Sequence, residues 1–271
     1  MSTCPALVMA IINCNEDSFY AGSRAIAGDA VEKALRAEED GAAIIDFGGE
    51  SSRPGSSYIE TDEELRRVIP VIEAFRKKSK LSVSVDTRKA KVACYAMDAG
   101  ADIINDISAL ADDVEMAPLC AERGASVILM HKKGDPDHMQ DAPVYGDIVP
   151  EVIAFLLLAA QKALGAGIPK EKIILDPGFG FGKRTEHNMA LLSHLAEIRA
   201  AGYPLLAGLS RKSFIGEVCG RSAEDCLAGT MAANAAAIMA GADIIRVHDV
   251  KEGVDLAKFL YVLEEMRQGK Q

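Results

Sequence analysis

Apolar and polar positions follow two rhythms that take turns along the chain. Short apolar, largely β-branched runs recur at VMAIIN (8–13), AAIIDF (42–47), LSVSVDT (81–87) and DIINDIS (102–108). The series continues with SVILMH (126–131), KIILDPG (172–178), PLLAGLS (204–210) and DIIRVHD (243–249). Runs of this length without strict alternation suit parallel strands buried on both faces. Between them lie stretches of helical period. Glu63 to Phe75 places Leu65, Val68, Ile69 and Ile72 on one face, and Glu186 to Ala201 does the same with Met189, Leu192 and Leu195. A Gly-Ala pair precedes four of the strands, at 41–42, 100–101, 124–125 and 241–242. Glycine there is expected to end the preceding helix in a left-handed cap. The strand ends fall about 33 residues apart on average, one β-loop-α unit per interval. Eight such units predict an α/β fold, a single (β/α)8 TIM barrel over residues 1–271 with eight parallel strands ringed by helices. A doubly wound open sheet shares the periodicity, because spacing does not report closure.

Composition narrows the class without changing the fold. Acidic residues outnumber basic ones 40 to 30, for a formal charge of −10. That argues against nucleic acid or an anionic membrane surface as a partner, while leaving room for a small anion held by local Lys and Arg. The six cysteines, Cys4, Cys14, Cys94, Cys120, Cys219 and Cys226, form neither a C-x-x-C pair nor a zinc-spaced cluster. Reduced cysteines and a cytoplasmic location are therefore expected. The apolar run 6–12 has no basic residue before it and makes a poor signal peptide. The longest uncharged stretch, Cys226 to Ala242, is Ala-rich and reads as a buried helix rather than a membrane span.

In a barrel the C-terminal strand ends and the loops beyond them face the active site. Here those positions carry Asn13, Asp46, Glu50, Asp86, Asn105, His131, Asp176, Lys212, Arg246 and His248. Any one of them is accounted for by capping the next helix; their coincidence at one mouth is not. Asp86, Asn105 and Asp176 suit a flat heterocycle with paired N–H donors, which match carboxylate oxygens. Arg53, Lys212, Arg246 and His248 suit a phosphate or diphosphate and a leaving group that gains negative charge. Other motifs fail. GFGFGKR (178–184) lacks the first glycine and the Ser/Thr of a P-loop and puts Lys183 where G-x-G-x-x-G needs glycine. Ser210 has no G-x-S-x-G frame. His131 and His138, with Asp135 between them, read as structural histidines rather than metal ligands.

Seven blocks in order, FGGESSRPG (47–55), SVDT (84–87), INDIS (104–108), LMHKKGDPDHMQ (129–140), LDPGFGFGK (175–183), SRKSFIG (210–216) and RVHDV (246–250), resemble the dihydropteroate synthases. That family condenses 6-hydroxymethyl-7,8-dihydropterin diphosphate with p-aminobenzoate, releasing diphosphate with Mg2+ and yielding 7,8-dihydropteroate for folate synthesis. The resemblance implies that Asp86, Asn105 and Asp176 hold the pterin, with Lys212 on its carbonyl and Met130 and Phe181 lining the ring. It implies that Asn13, Arg53, Arg246 and His248 hold the diphosphate, and that Asn13 ligates Mg2+. Ser52, Arg53, Pro54 and Ser213 would border the aminobenzoate. The chemistry implied is dissociative: Asp86, Lys212, Arg246 and His248 act around a departing diphosphate and a cationic methylene. A homodimer through the late helices is implied as well.

Departures from the family pattern are confined to a few places. The first loop reads Asn13-Cys14-Asn15-Glu16-Asp17-Ser18-Phe19, with Asn15 and Glu16 replacing Thr and Pro, and Ala21 stands where a second aspartate is usual. Ser52 replaces a common Thr and Lys132 a usual Met. Two other readings share the pterin grip. A pterin-dependent methyltransferase would not need the cationic wall, and a non-catalytic pterin-binding protein would fit the altered first loop.

Overall fold

The structure, a computed structural model, describes residues 5–14, 22–50, 58–134, 143–222 and 224–269, with side chains in the first helix described from residue 28. Its strands are β1 (Leu7–Asn13), β2 (Ile44–Gly48), β3 (Ser82–Asp86), β4 (Ile103–Asp106), β5 (Ser126–Met130), β6 (Ile173–Asp176), β7 (Leu206–Ala207) and β8 (Ile244–Val247). Its helices are α1 (Gly22–Glu39), α2 (Thr61–Arg76), α3 (Ala90–Asp98), α4 (Met116–Arg123), α5 (Ile148–Gly165), α6 (Thr185–Ser193), α7 (Leu195–Arg199), α8 (Ser213–Cys219), α9 (Leu227–Met239) and α10 (Val250–Arg267). All strand pairs are parallel, in the order β6-β5-β4-β3-β2-β1-β8-β7. A bridge between Leu175 and Leu205 brings β6 beside β7. The sheet thus curls into a nearly closed (β/α)8 barrel, and the open-sheet alternative falls, since a doubly wound sheet reverses its strand order at a switch point.

The alternation of side chains along each strand places the site. Val8, Ile45, Val83, Ile104, Val127, Ile173, Leu205 and Ile245 point outward into the large core shared with the helices. Met9, Ile44, Ile103, Ile128, Ile174, Leu206 and Ile244 form a separate apolar cluster inside the barrel. Two residues further along, on the same inner face, stand Asp46, Asn105, Met130, Asp176, Gly208 and Arg246. An apolar plug therefore floors a polar layer at the C-terminal mouth, and a one-residue slip in any strand would exchange the two faces.

The helices match expectation with two corrections. The glycines at 41, 100, 124 and 241 all adopt positive φ, from 64° to 111°, as caps at the expected places. The stretch expected as one helix from Glu186 to Ala201 is broken into α6 and α7. At the break, Ser193 Oγ bonds the Ala190 carbonyl and His194 Nδ1 lies 2.9 Å from it. Such local side-chain bonds compete with the helix ladder. The buried residues there are Leu191, Leu195 and Ile198, whereas Met189 is exposed and Leu192 only partly buried. In α2 the buried stripe is likewise rotated, to Val68, Val71, Ile72 and Phe75, with Leu65 and Ile69 at its edge.

One described helix, α5, is long and apolar enough to cross a membrane. Its Val152, Leu156, Ala160 and Ala163 are fully buried, and it packs on β5 and β6. The stretch from Cys226 to Ala242 forms α9, buried along Thr230, Ala233, Asn234 and Ala237.

Candidate active site

Three buried polar residues face the mouth from one side of the barrel: Asp86 (9% exposed) from β3, Asn105 (4%) from β4 and Asp176 (5%) from β6. Burial pushes the Asp86 carboxyl up to about 7. Arg246 pulls it back, while Asp46, Glu64 and Asp106 add to the rise. Burial also raises Asp176, opposed by the Gly178 N–H and by Lys212, Arg246 and Lys183. Beside these acceptors, Ile107, Met130 and Phe181 form a small apolar cluster. The Lys212 ammonium lies 4.1 Å from the centre of the Phe181 ring. The geometry is that of a slot with an apolar side, hydrogen-bond acceptors at one edge and a cation over the other.

The loop after β6 is locked to shape this slot. Gly178 N–H donates to Asp176 Oδ1 at 2.7 Å. A Cβ at Gly178 would lie 2.0 Å from the His131 carbonyl oxygen, and one at Gly182 would lie 2.2 Å from that of Lys133, both at positive φ. Only glycine fits there. Lys183, nearly fully buried, donates to the carbonyls of Gly178 (2.8 Å), Phe181 (3.0 Å) and His131 (3.2 Å). These use all three ammonium protons. Burial and Lys212 draw Lys183 down to about 7, with Asp176 opposing. Asn188 of α6 completes the lock, accepting from Gly180 N–H and donating to the Arg184 carbonyl. His131 packs edge-on against Phe155 and is held neutral, burial pushing its pKa to about 3. This fits the structural role expected for it; His138 and Asp135 lie outside the described residues.

The opposite side of the mouth is wetter. Asn13 at the end of β1, Ser213 at the start of α8 and His248 beyond β8 are exposed, and Lys212 is half-buried. Ser210 accepts from the His248 backbone N–H (3.1 Å), and its hydroxyl lies 3.0 Å from His248 Nδ1. The next residue, Arg211, adopts positive φ and forks onto Asp249. Arg246 departs from the picture of a plain cationic wall. It reaches inward, with Nε 2.7 Å and Nη2 2.6 Å from Asp46 Oδ2 and Nη2 2.9 Å from Asp86. Asn105 Nδ2 joins the same Asp46 oxygen at 3.1 Å. Ser52, Arg53 and Pro54 lie outside the described residues, as do positions 15–21 of the first loop. At the flanks of 51–57, Lys89 Nζ bonds Glu50 (2.6 Å), the Ile59 carbonyl (2.8 Å) and Glu64 (2.6 Å). Arg88 bonds Glu50 and Asp112, and Lys132 pairs with Asp112.

Sequence reasoning named most of the mouth and missed its supports. Asp46 was visible as a polar strand end without a role; its burial and three donors are tertiary facts. Ser210 and Lys183 were tested only against motifs they do not fit. Among the described residues there is no cluster of three or more His, Cys, Asp or Glu able to hold a metal.

Fold and mouth together describe a (β/α)8 barrel that gathers buried acceptors and cationic side chains at one end. A family model described as pterin binding enzyme matches residues 9–248. The dihydropteroate synthase of Escherichia coli is 44% identical over 97% of this chain and 93% of its own. That of Bacillus subtilis is 43% identical over 94% and 87%. A solved Xanthomonas albilineans dihydropteroate synthase with 4-aminobenzoic acid superposes with a TM-score of 0.90 at 44% identity, covering 97% of this chain and 94% of that one. A Yersinia pestis synthase in complex with a sulfonamide drug gives 0.91 at 40% identity, covering 96% and 95%. The chain belongs to the pterin-binding enzymes and, within them, to the dihydropteroate synthases, transferases of folate biosynthesis.

Proposed function

We propose that this mouth joins the methylene of 6-hydroxymethyl-7,8-dihydropterin diphosphate to the amino nitrogen of p-aminobenzoate. The carrying observation is the buried set Asp86, Asn105 and Asp176 at the edge of a slot lined by Met130 and Phe181. Burial leaves these acceptors without competing water, so a ring with matching N–H groups gains charge-assisted bonds. Lys212, leaning over Phe181, meets the ring carbonyl and faces the departing group.

The substrate's C–O bond breaks first, its electron pair leaving with the diphosphate, and Asp86 steadies the cationic methylene that remains. The aniline nitrogen then forms the C–N bond with its lone pair, and the proton it loses passes to the released diphosphate or to water. Lys212, Arg246, His248, Asn13 and Arg53 hold the diphosphate. Preorganised cations aimed at developing charge are the largest lever such a site has. Ser52, Arg53, Pro54 and Ser213 border the aminobenzoate. No side chain is asked to act as nucleophile; the Ser210 hydroxyl accepts from the His248 backbone N–H and lies beside His248 Nδ1.

Asn13 offers one exposed hard oxygen at the end of β1, and without a carboxylate cluster in the described residues the rest of a Mg2+ shell would come from diphosphate and water. When bound, Mg2+ neutralises charge on the diphosphate. Partners other than small molecules are limited to a second copy. Met239 of α9 and Phe259, Val262 and Met266 of α10 leave an exposed apolar face on two helices packed together, which supports a homodimer through the late helices. No disulfide joins the five described cysteines, which supports a cytoplasmic location.

The test is diphosphate release from purified protein with Mg2+, the pterin diphosphate and p-aminobenzoate, with each left out in turn. Release that requires aminobenzoate and yields 7,8-dihydropteroate is expected. Binding of the pterin diphosphate without release would overturn the synthase reading in favour of a binding protein.

A further inference from the structure

We infer that Asp46 is a positioning residue of the reaction: from beneath the mouth it orients Arg246 and Asn105 and balances the charge around Asp86. This rests on the reading that Asp86 and Arg246 work on the substrate.

Asp46 sits on the inner face of β2 with no exposed surface, so it does not meet ligand itself. Its Oδ2 gathers Nε and Nη2 of Arg246 from β8 and Nδ2 of Asn105 from β4. Nη2 then continues to Asp86 on β3. One buried oxygen thus ties together strands from opposite sides of the ligand slot. The barrel does not need a charge at this position. One layer below, the same inner face carries seven apolar side chains and packs without polar help. A carboxylate moved from water into a barrel is costly unless it is paired and hydrogen-bonded, and replacing such pairs by apolar residues is often neutral. Its presence is explained by what it holds. Asp46 fixes the tilt of the guanidinium through Nε and Nη2, and turns the Asn105 amide so that its carbonyl oxygen faces away from Asp46.

The charge balance follows from the same contacts. Asp86 is faced by Arg246 from β8, Asp46 from β2, Asp106 from β4 and Glu64 from α2, and burial is the largest influence on it. Arg246 is itself drawn down by burial but held up on balance by Asp46, Asp86 and Asp176. Asp46→Asn keeps the shape and the acceptor while removing a negative neighbour of Asp86. It also leaves Asp86 as the carboxylate bonded to Arg246, while Asp176 still faces it. Both changes favour the ionised form of Asp86.

The experiment titrates 6-hydroxymethyl-7,8-dihydropterin, without diphosphate or metal, against the protein by calorimetry from pH 5 to 9. A ring gripped by ionised Asp86 binds less well as pH falls through the carboxyl pKa, losing up to tenfold per pH unit. In Asp46→Asn the midpoint of that loss should move down by about one pH unit. Turnover should fall about tenfold at pH 8, because a neutral amide oxygen holds Arg246 less firmly than the carboxylate does. A midpoint and a turnover that both match wild type would overturn the inference, as would a midpoint moved upward. If wild-type protein binds the pterin but never releases diphosphate, the synthase reading fails while the midpoint shift still reports on Asp46. Should Asp46→Asn not fold, Asp46→Asn/Arg246→Gln removes both charges of that ion pair together. Its midpoint should rise less than that of Arg246→Gln alone, because loss of Asp46 offsets part of the loss of Arg246. A midpoint raised by a full unit, as for loss of Arg246 alone, would show that Asp46 was not balancing it.

Discussion

The two sides of the mouth solve different problems with different physics. On the side of β3 to β6, Asp86, Asn105, Asp176, Met130 and Phe181 are buried, and the two carboxyls are raised by that burial. On the side of β7, β8 and β1, Asn13, Ser213 and His248 stand in water. A neutral ring has little to offer an exposed site, since water competes for each of its hydrogen bonds; it is recognised only where acceptors have been dried and fixed beforehand. A diphosphate brings its own charge and gains from exposed cations and amides. On the function proposed above, the buried side carries most of the affinity for the ring, and the exposed side acts on the leaving group.

The sharpest way to break this contrast is Asp176→Asn. The substitution keeps the shape but converts a carboxylate that accepts from Gly178 N–H into an amide with one donor end. With its oxygen turned to Gly178, the amide N–H2 meets the N–H groups of the ring. Loss of a charge-assisted bond plus that mismatch should weaken dihydropterin binding ~100-fold, about 3 kcal/mol. Calorimetric titration checks it, and affinity within a few-fold of wild type would remove Asp176 from the ring site.

Lys183→Met asks whether the drying and fixing come from the loop lock rather than from the acceptors alone. It leaves the carbonyls of Gly178, Phe181 and His131 without the ammonium that joins them. Buried carbonyls left unpaired should cost about 2 kcal/mol of stability, read as a lowered midpoint in urea. Because Phe181 and the loop bearing Gly180 shift with them, ring affinity should fall about tenfold, whereas diphosphate affinity should change less than threefold. Equal losses for both ligands would mean that the two sides of the mouth are not separate.

How much of this was legible in the chain depends on the range of the interaction. The strands follow from the short apolar runs, so Asp86, Asn105, Asp176 and Arg246 could be placed at the mouth from their positions at strand ends. The direction in which Arg246 points could not, because Asp46 lies 200 residues away along the chain and no local pattern couples them. The split of α6 from α7 was hidden for the opposite reason. It is caused by short-range bonds from Ser193 and His194 to one carbonyl, inside a stretch whose apolar period looks unbroken. Lys183 was in plain view, but its role depends on three carbonyls brought together by glycines at positive φ, which a motif search reads only as failed spacing.

The smallest effect expected is on the wet side. His248→Ala removes a side chain that is exposed and whose imidazole Nδ1 lies near the Ser210 hydroxyl. An interaction screened by water is worth about 1 kcal/mol at most, so diphosphate departure should slow by up to about fivefold. Binding of 6-hydroxymethyl-7,8-dihydropterin, which lacks the diphosphate, should stay within twofold of wild type, since nothing in the buried acceptor set changes. Single-turnover diphosphate release and calorimetry separate the two quantities. A variant that loses ring affinity but not release rate would reverse the assignment of the two sides. One that loses neither would place the leaving group with Lys212, Arg246 and the residues before α2, and leave His248 at the rim of the site.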